Sequence, residues 1–236
     1  MKDLFINLAD DLTTYLTLDQ SINLSLVSTS SFYRGLNNMK YNRFIPVNNT
    51  NFLKLFNKRN SKTKEIIKVI KAGADINVDN NFGNSLHYAI HYKNIEIINL
   101  LIKLGINFTN YAGISPLHRA ISTNNLEIVN ILLNENVEVN TIEIGGQTHI
   151  NHAIRKNNKE IIKALLLAGA KVNVSDRDGV TPLHNYTLSN NYDREILDML
   201  IEAGANINAG DKLGKTPLDY ARRAKREDIV FVLENL

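Results

Sequence analysis

The chain has 236 residues, 44% hydrophobic and 22% charged, with 12 Gly, 4 Pro, neither Cys nor Trp, and a formal net charge of +3. That length holds one large domain or two small ones with a real core, and the balance excludes wholesale disorder and collagen-like structure. The absence of cysteine excludes a disulfide framework, a thiolate zinc site, an iron–sulfur cluster and a thiol nucleophile.

The opening Met1-Lys2-Asp3-Leu4-Phe5 carries an acid where a secretory leader needs an apolar run, and no stretch approaches about 18 consecutive apolar residues. These features predict a soluble, intracellular chain. Charge is laid out unevenly: residues 1–39 carry −2, residues 40–72 carry +8 from nine Lys/Arg against Glu65, and residues 73–236 carry −3. Asn occurs 34 times, which together with heavy Ile and Lys usage reflects AT-rich coding as readily as function.

In the head, Leu4, Leu8, Leu12 and Leu16 recur every four positions with Phe5 and Tyr15 alongside, predicting a first helix with an apolar stripe. After a break at 17–20, the segment Ser21-Ile22-Asn23-Leu24-Ser25-Leu26-Val27 and then 28–36, with Phe32 and Tyr33, predict two more short helices. Three short helices in about 40 residues lie near or below the size that folds unaided. The head therefore shares its core with another surface, either as a cap on the rest of the chain or as a docking module.

The basic run from Lys40 to Lys71 reads either as a nucleic-acid patch or as a solvated face. A helix over 64–72 buries Ile66, Ile67, Val69 and Ile70 and turns its lysines outward, while Phe52 and Phe56 fit a core better than a base-stacking platform. An acidic protein, or the acidic head itself, is the counterpart this run fits best.

From residue 73 the chain repeats itself. Leu86-His87, Leu117-His118, Ile150-Asn151, Leu183-His184 and Leu218-Asp219 recur at steps of 31, 33, 33 and 35 residues. Gly73, Gly105, Asn136, Gly169 and Gly204 keep pace at 32, 31, 33 and 35. Two marks drifting together define one repeating unit. Within it, Ser115-Pro116, Thr181-Pro182 and Thr216-Pro217 are helix starts, a cap followed by proline at the first helical position. A second amphipathic helix such as Lys159-Glu160-Ile161-Ile162-Lys163-Ala164-Leu165-Leu166-Leu167 stops at Ala168-Gly169. An extended stretch, Ala170-Lys171-Val172-Asn173-Val174, then turns back through Ser175-Asp176-Arg177-Asp178-Gly179. The longest step adds chain at 189–192, and the shortest removes it at 108–112.

These units resemble the ankyrin repeat, most closely in Gly113-Ile114-Ser115-Pro116-Leu117-His118-Arg119-Ala120, in Gly179-Val180-Thr181-Pro182-Leu183-His184 and in Gly214-Lys215-Thr216-Pro217-Leu218. The unit at 142–174 departs, with Thr148-His149-Ile150-Asn151 in place of Thr-Pro-Leu-His, and the unit at 79–109 lacks the proline and carries its glycine one residue late, at Gly83. The resemblance covers roughly 48–236 and implies an all-α solenoid of helix–turn–helix units with β-hairpin fingers, each unit burying its apolar face against its neighbours. The expected division is a head at 1–45, a linker and degenerate first repeat at 46–78, then repeats at 79–109, 110–141, 142–174, 175–209 and a C-terminal cap at 210–236. Arg222-Arg223-Ala224-Lys225-Arg226-Glu227-Asp228 suits the solvated outer side of that cap.

The head resembles an F-box, the helical module by which substrate receptors dock on the Skp linker of cullin–RING ubiquitin ligases. Leu8-Ala9-Asp10-Asp11-Leu12, Leu18-Asp19, Leu24-Ser25-Leu26-Val27-Ser28 and Ser30-Ser31-Phe32-Tyr33 with Leu36 carry that resemblance. Ala9 stands where the family has proline, the stretch between Leu12 and Leu24 is short, and one extra residue separates Val27 from Phe32. The resemblance implies a Skp-docking surface of Leu8, Leu12, Leu16, Ile22, Leu24, Leu26, Val27 and Phe32.

For the repeats, the resemblance implies a concave face of finger tips and first-helix residues that binds a target protein. Its variable slots here are Phe82, Tyr88, His91, Tyr111, Arg119, Ser122, Ile144, Gln147, His152, Arg155, Arg177, Asn185, Lys212, Lys215 and Tyr220. Tyr88, Tyr111, Arg119, Arg155 and Arg177 are the expected anchors, because aromatic residues and Arg dominate binding hot spots. His87, His118 and His184 fall in the Thr-Pro-Leu-His slot, which implies a structural hydrogen bond to the neighbouring hairpin rather than catalysis. His149 and His152, three apart, are able to face one way on a helix but lack further ligands at zinc spacing. Gly145-Gly146 is no phosphate-binding loop, and no cofactor motif occurs.

As a whole the sequence reads as a non-enzymatic adaptor that needs no cofactor, with the Skp linker at one end and an unidentified target at the other. It works through proximity of a target lysine to charged ubiquitin. An F-box ahead of ankyrin repeats in an Asn-, Ile- and Lys-rich chain resembles effectors of intracellular bacteria such as Legionella, which implies action in host cytoplasm. A plain ankyrin scaffold and a nucleic-acid-associated regulator are the rivals.

Overall fold

The computed structural model describes residues 49–56, 63–108, 114–143, 146–189 and 193–236. All eight residues of the Skp-docking surface expected in the head, from Leu8 to Phe32, lie outside the described residues, as do Tyr111 and Ile144. The chain divides into two compact units, one of 1–78 with 96–106 and the other of 79–95 with 107–236.

The first unit holds helix α1 (Asn49–Phe56) and helix α2 (Thr63–Lys71), which pack together. Phe52 and Phe56 are both buried and meet edge to face, with centroids 5.5 Å apart. Ile66 and Ile70, one turn apart, bury the apolar side of α2 while Lys64, Lys68 and Lys71 stay outside. In the described part of the basic run, Lys54 on α1 and Lys64, Lys68 and Lys71 on α2 are exposed.

The second unit opens with a short antiparallel hairpin, β1 (Asp79–Asn80) and β2 (Gly83–Asn84), leading into helix α3 (Ser85–His91). The next helix in sequence, α4 (Ile95–Lys103), falls almost wholly in the first unit and buries Ile97, Ile98, Leu100 and Leu101. The second unit then continues with α5 (Pro116–Ser122), α6 (Leu126–Asn134), α7 (His149–Lys156), α8 (Lys159–Leu167), α9 (Pro182–Thr187), α10 (Arg194–Glu202), α11 (Pro217–Arg223) and α12 (Glu227–Glu234). These form helix pairs in a ladder. First helices pack in the order α3, α5, α7, α9, α11, second helices in the order α6, α8, α10, and partners within each pair touch.

Local sequence explains each turn of the ladder. The first helices begin on a side-chain cap: Ser115 Oγ accepts from His118 N at 3.0 Å and Thr216 Oγ1 from Asp219 N at 3.3 Å. Asn125, Asn158 and Asp193 cap the second helices. Asn124, Asn136 and Asn157 adopt left-handed backbone, a conformation that asparagine tolerates better than most residues. Between repeats, Asn140 and Asn173 each reach forward about one repeat, to Gly169 O at 3.1 Å and Gly204 O at 2.8 Å, and accept from Lys171 N and Asn206 N. Seven of the 34 asparagines thus hold a cap, a left-handed turn or a bond between repeats.

Gly83, out of step in the sequence, has its own reason. Its φ of +126° is disallowed for other residues, and a Cβ there would stand 2.4 Å from the His87 ring. Asn84 replaces the Thr cap, accepting from Leu86 N and His87 N.

Candidate protein-binding face

Aligning the repeats on their cap residues gives the first-helix face a layered order. Four residues after the cap stand Tyr88, Arg119, His152, Asn185 and Tyr220, turned toward the fingers. Seven after the cap stand His91, Ser122 and Arg155, all exposed. On the fingers, Arg177 and Lys212 hold equivalent exposed positions, with Lys215 exposed and Gln147 half-buried just before the caps.

At the first finger an aromatic cluster forms. Phe82 lies 4.6 Å from Tyr88 and 5.2 Å from His91, and the Arg119 guanidinium sits 4.0 Å above the Phe82 ring while donating to Phe82 O at 3.0 Å. The sequence casts Tyr88 as an exposed anchor. It is instead buried, packed against Phe82 with its hydroxyl at Asn80, so it supports the cluster rather than presenting itself. Tyr220 repeats the device at the other end, donating to Asp211 Oδ2 at 2.8 Å, which raises the phenol pKa and helps hold the carboxyl low. Burial, aided by the Arg119 charge, lowers the pKa of His91.

The junction between repeats 110–141 and 142–174 holds a polar cluster absent from the sequence expectation. Glu143 is buried on its finger. Its Oε1 accepts from Ser115 N at 3.0 Å and Ser115 Oγ at 2.7 Å, and its Oε2 lies 2.6 Å from His118 Nδ1. That last contact is close enough for an ion pair but too bent for a straight hydrogen bond. His149 Nε2 stands 2.6 Å from Ser115 Oγ and 3.4 Å from Glu143 Oε1. Its Nδ1 meets the Val139 carbonyl at 2.7 Å, and since a carbonyl only accepts, that nitrogen carries hydrogen. Burial alone would raise the Glu143 pKa, but its contacts with His118, His149 and Ser115 overcome it and hold the carboxyl well below its usual range.

His118 meets its neighbouring finger differently from the other two. In the same slot, His87 Nε2 meets the Ile114 carbonyl at 3.3 Å and His184 Nε2 the Lys215 carbonyl at 2.9 Å, each on the next finger, whereas His118 meets a carboxylate. The difference is one methylene. Glu143, Asp176 and Asp211 are equivalent, each five residues before the cap and each donating its backbone N–H across its own finger. Asp176 and Asp211 direct their carboxylates mainly at their own finger, on Asp178 N and Val180 N and on Leu213 N and Lys215 N, Asp176 also accepting a long 3.5 Å bond from Gln147 Nε2. The longer Glu143 crosses to the preceding repeat.

His149 and His152 do not act together. His149 turns into the junction, whereas His152 faces Ser122 Oγ at 3.1 Å and lies tilted against the His118 ring at 4.2 Å. Burial, helped by the nearby His118, Arg155 and Lys156 charges, pushes His152 down to about 3. Ser115, His149 and Glu143 are not arranged as a hydrolase triad: the carboxylate bonds the serine rather than orienting the histidine, and Ser115 is a buried helix cap. Among the described residues no group of three or more His, Asp or Glu side chains is placed to hold a metal ion, and no helix is long and apolar enough to cross a membrane.

The fingers are pressed together. A Cβ on Gly146 would lie 2.8 Å from Arg177 N, and one on Gly179 would lie 2.9 Å from Lys212 N. Lys212 N donates to Asp178 O at 2.9 Å, and Arg155 Nη1 to Gln147 Oε1 at 2.7 Å. Asn185 is half-buried and sits inside this row, while Arg177, Lys212 and Lys215 project from it.

A capped first helix, a second helix ended by a left-handed residue, and a finger leading to the next cap recur along this unit as they do in ankyrin repeats. The family model described as Ankyrin repeats (3 copies) matches residues 56–143 and 146–235. The chain belongs to the ankyrin repeat family, an all-α architecture whose repeats serve protein–protein interaction. No curated protein matches the chain.

Proposed function

We propose that the finger and first-helix face of the repeats holds a target protein, and that the chain acts as an adaptor without chemistry of its own. The observation that carries this is the Phe82–Arg119–His91 cluster together with exposed Arg155, Arg177 and Lys212 on later repeats, aromatic and cationic side chains on first helices and fingers. Capture from eukaryotic lysate tests it. The double variant Phe82→Ala with Arg155→Glu loses the captured protein while keeping its circular dichroism and melting profile. Equal capture by variant and wild type refutes the face.

The finer reading gives the adaptor a destination. The F-box resemblance at 1–45 makes the Skp linker of a cullin–RING ligase the second partner, through Leu8, Leu12, Leu16, Ile22, Leu24, Leu26, Val27 and Phe32, with the target ubiquitinated by proximity. It rests on the sequence motifs of the head, and the Legionella-like pairing of modules extends it to a secreted effector acting in host cytoplasm. Purified Skp linker is retained by the full chain in a pull-down and released by Leu8→Ala with Leu12→Ala. No retention at micromolar protein leaves the plain ankyrin scaffold.

A further inference from the structure

We infer that the ladder of the second unit has a breaking point between repeats 142–174 and 175–209, where the last two repeats come away together while those before them stay folded. The inference concerns the ladder alone and holds whether or not the finger face binds a target.

In a stack of repeats each unit touches only its neighbours, so stability is the sum of what the units and their junctions contribute. The weakest junction then decides which part leaves first. Three junctions lie wholly in the second unit, and they are not equal. The one between 110–141 and 142–174 holds the buried Glu143 cluster, and at its surface Asn158 Nδ2 donates to Asn124 Oδ1 at 2.8 Å. The one between 175–209 and 210–236 is also well tied. His184 Nε2 meets Lys215 O at 2.9 Å, Lys212 N donates to Asp178 O at 2.9 Å, and Arg226 donates to Ser189 O.

Among the described residues the middle junction has the poorest set. Its histidine slot holds Asn151, fully buried, whose amide nitrogen and oxygen both lack a partner. Burying such groups unpaired costs free energy, which is recovered when the junction opens and water reaches them. Gln147 Nε2 meets Asp176 Oδ2 only at 3.5 Å, the limit of a hydrogen bond. The Lys159–Glu195 ion pair lies in solvent and contributes little. Finger contact does not distinguish the junctions, since Gly146 and Gly179 each bring the next finger close. What holds the middle junction is Asn173, whose side chain donates to Gly204 O and accepts from Asn206 N, both at 2.8 Å.

A uniform ladder frays from its end, one repeat at a time. Here the last repeat is tied to its neighbour more firmly than that neighbour is tied to 142–174, so α9 to α12 leave as one body. Opening takes Arg177 and Lys212 off the candidate face and leaves Phe82, Arg119 and Arg155 in place. The length of face offered to a partner is therefore set by this equilibrium.

The test is hydrogen exchange of the full chain near neutral pH, read helix by helix by mass spectrometry. Helices α9, α10 and α11 share one protection, at least about tenfold below that of α5 to α8. Asn173→Ala speeds exchange about fivefold in all three, including α11, which has no bond to Asn173. Asn140→Ala, the same change one junction earlier, leaves them within about twofold, because that junction is intact in both the closed and the opened form. Exchange of α11 ahead of α9 and unmoved by Asn173→Ala shows the end repeat fraying alone, and overturns the inference. A single protection across α5 to α11, or an equal response to Asn140→Ala, overturns it as well.

Discussion

Two junctions of the same ladder solve one problem with different chemistry. Between repeats 175–209 and 210–236, His184 bridges from its own cap to a backbone carbonyl of the next finger, a neutral arrangement that any finger supplies. Between repeats 110–141 and 142–174, the next finger offers the Glu143 carboxylate, and His118, His149 and Ser115 gather around it. The first junction depends on backbone and tolerates sequence change in the finger. The second concentrates its polar contacts on one side chain and depends on it.

Replacing Glu143 gives the largest expected effect. Glu143→Ala leaves the buried Ser115 N–H and hydroxyl without their acceptor and removes the carboxylate that His118 and His149 pack against, at a cost of about 3 kcal/mol or more in urea unfolding. Glu143→Asp sharpens the comparison. Aspartate satisfies its own finger, as Asp176 and Asp211 do, and abandons the junction, so it loses nearly as much as alanine does. A loss under about 1 kcal/mol for both would mean that the cluster contributes nothing beyond filling space.

The contact between fingers is tested by two glycines with the same φ of +83°. Gly204→Ala meets open space and bears only the left-handed penalty, about 1 kcal/mol. Gly179→Ala adds a Cβ 2.9 Å from Lys212 N and must push the neighbouring finger away, for about 2–3 kcal/mol in all. Equal losses would show that the fingers are not held against one another.

Acid separates the two kinds of junction by pH. Burial, reinforced by Arg119, pushes His87 down to about 4, against the raising effect of the Ile114 carbonyl and Glu143. Its unfolded counterpart takes a proton near 6.5. The stability it contributes is complete above that value and drains as pH falls toward 4, by up to about 3 kcal/mol, with His152 acting in the same direction. Glu143, held low, yields only as pH drops below the usual carboxylate range. Wild type and Glu143→Gln therefore lose stability in parallel between pH 6.5 and 5. Divergence in that window would place the carboxylate's contribution at the wrong pH.

Sequence is readable here where it repeats. Caps, left-handed residues and apolar spacing recur at one period, so the helix pairs and the structural place of His87 and His184 are visible in the sequence alone. Glu143 is not, because an acid at that position looks like Asp176 and Asp211, and only the reach of one more methylene sends it across to another repeat. The burial of Tyr88 is hidden for a related reason: an aromatic at a variable slot gives no sign of whether its hydroxyl finds Asn80 or solvent.

The smallest effect concerns the junction that has neither solution. Asn151 occupies the histidine slot of repeat 142–174, is buried, and has no hydrogen-bond partner for its side-chain amide among the described residues. Its neighbour His149 has moved into the proline position and serves the preceding junction instead. The carbonyl matching those that receive His87 and His184 is that of Val180, one residue before the next cap. Asn151→His extends an imidazole toward that carbonyl in place of an amide whose buried polar atoms go unsatisfied. A gain of about 1 kcal/mol in urea unfolding is expected, and it is additive with Glu143→Ala if the two junctions are independent. A loss instead of a gain would show that the slot is closed by the packing around His149, so that one histidine's displacement shaped both junctions at once.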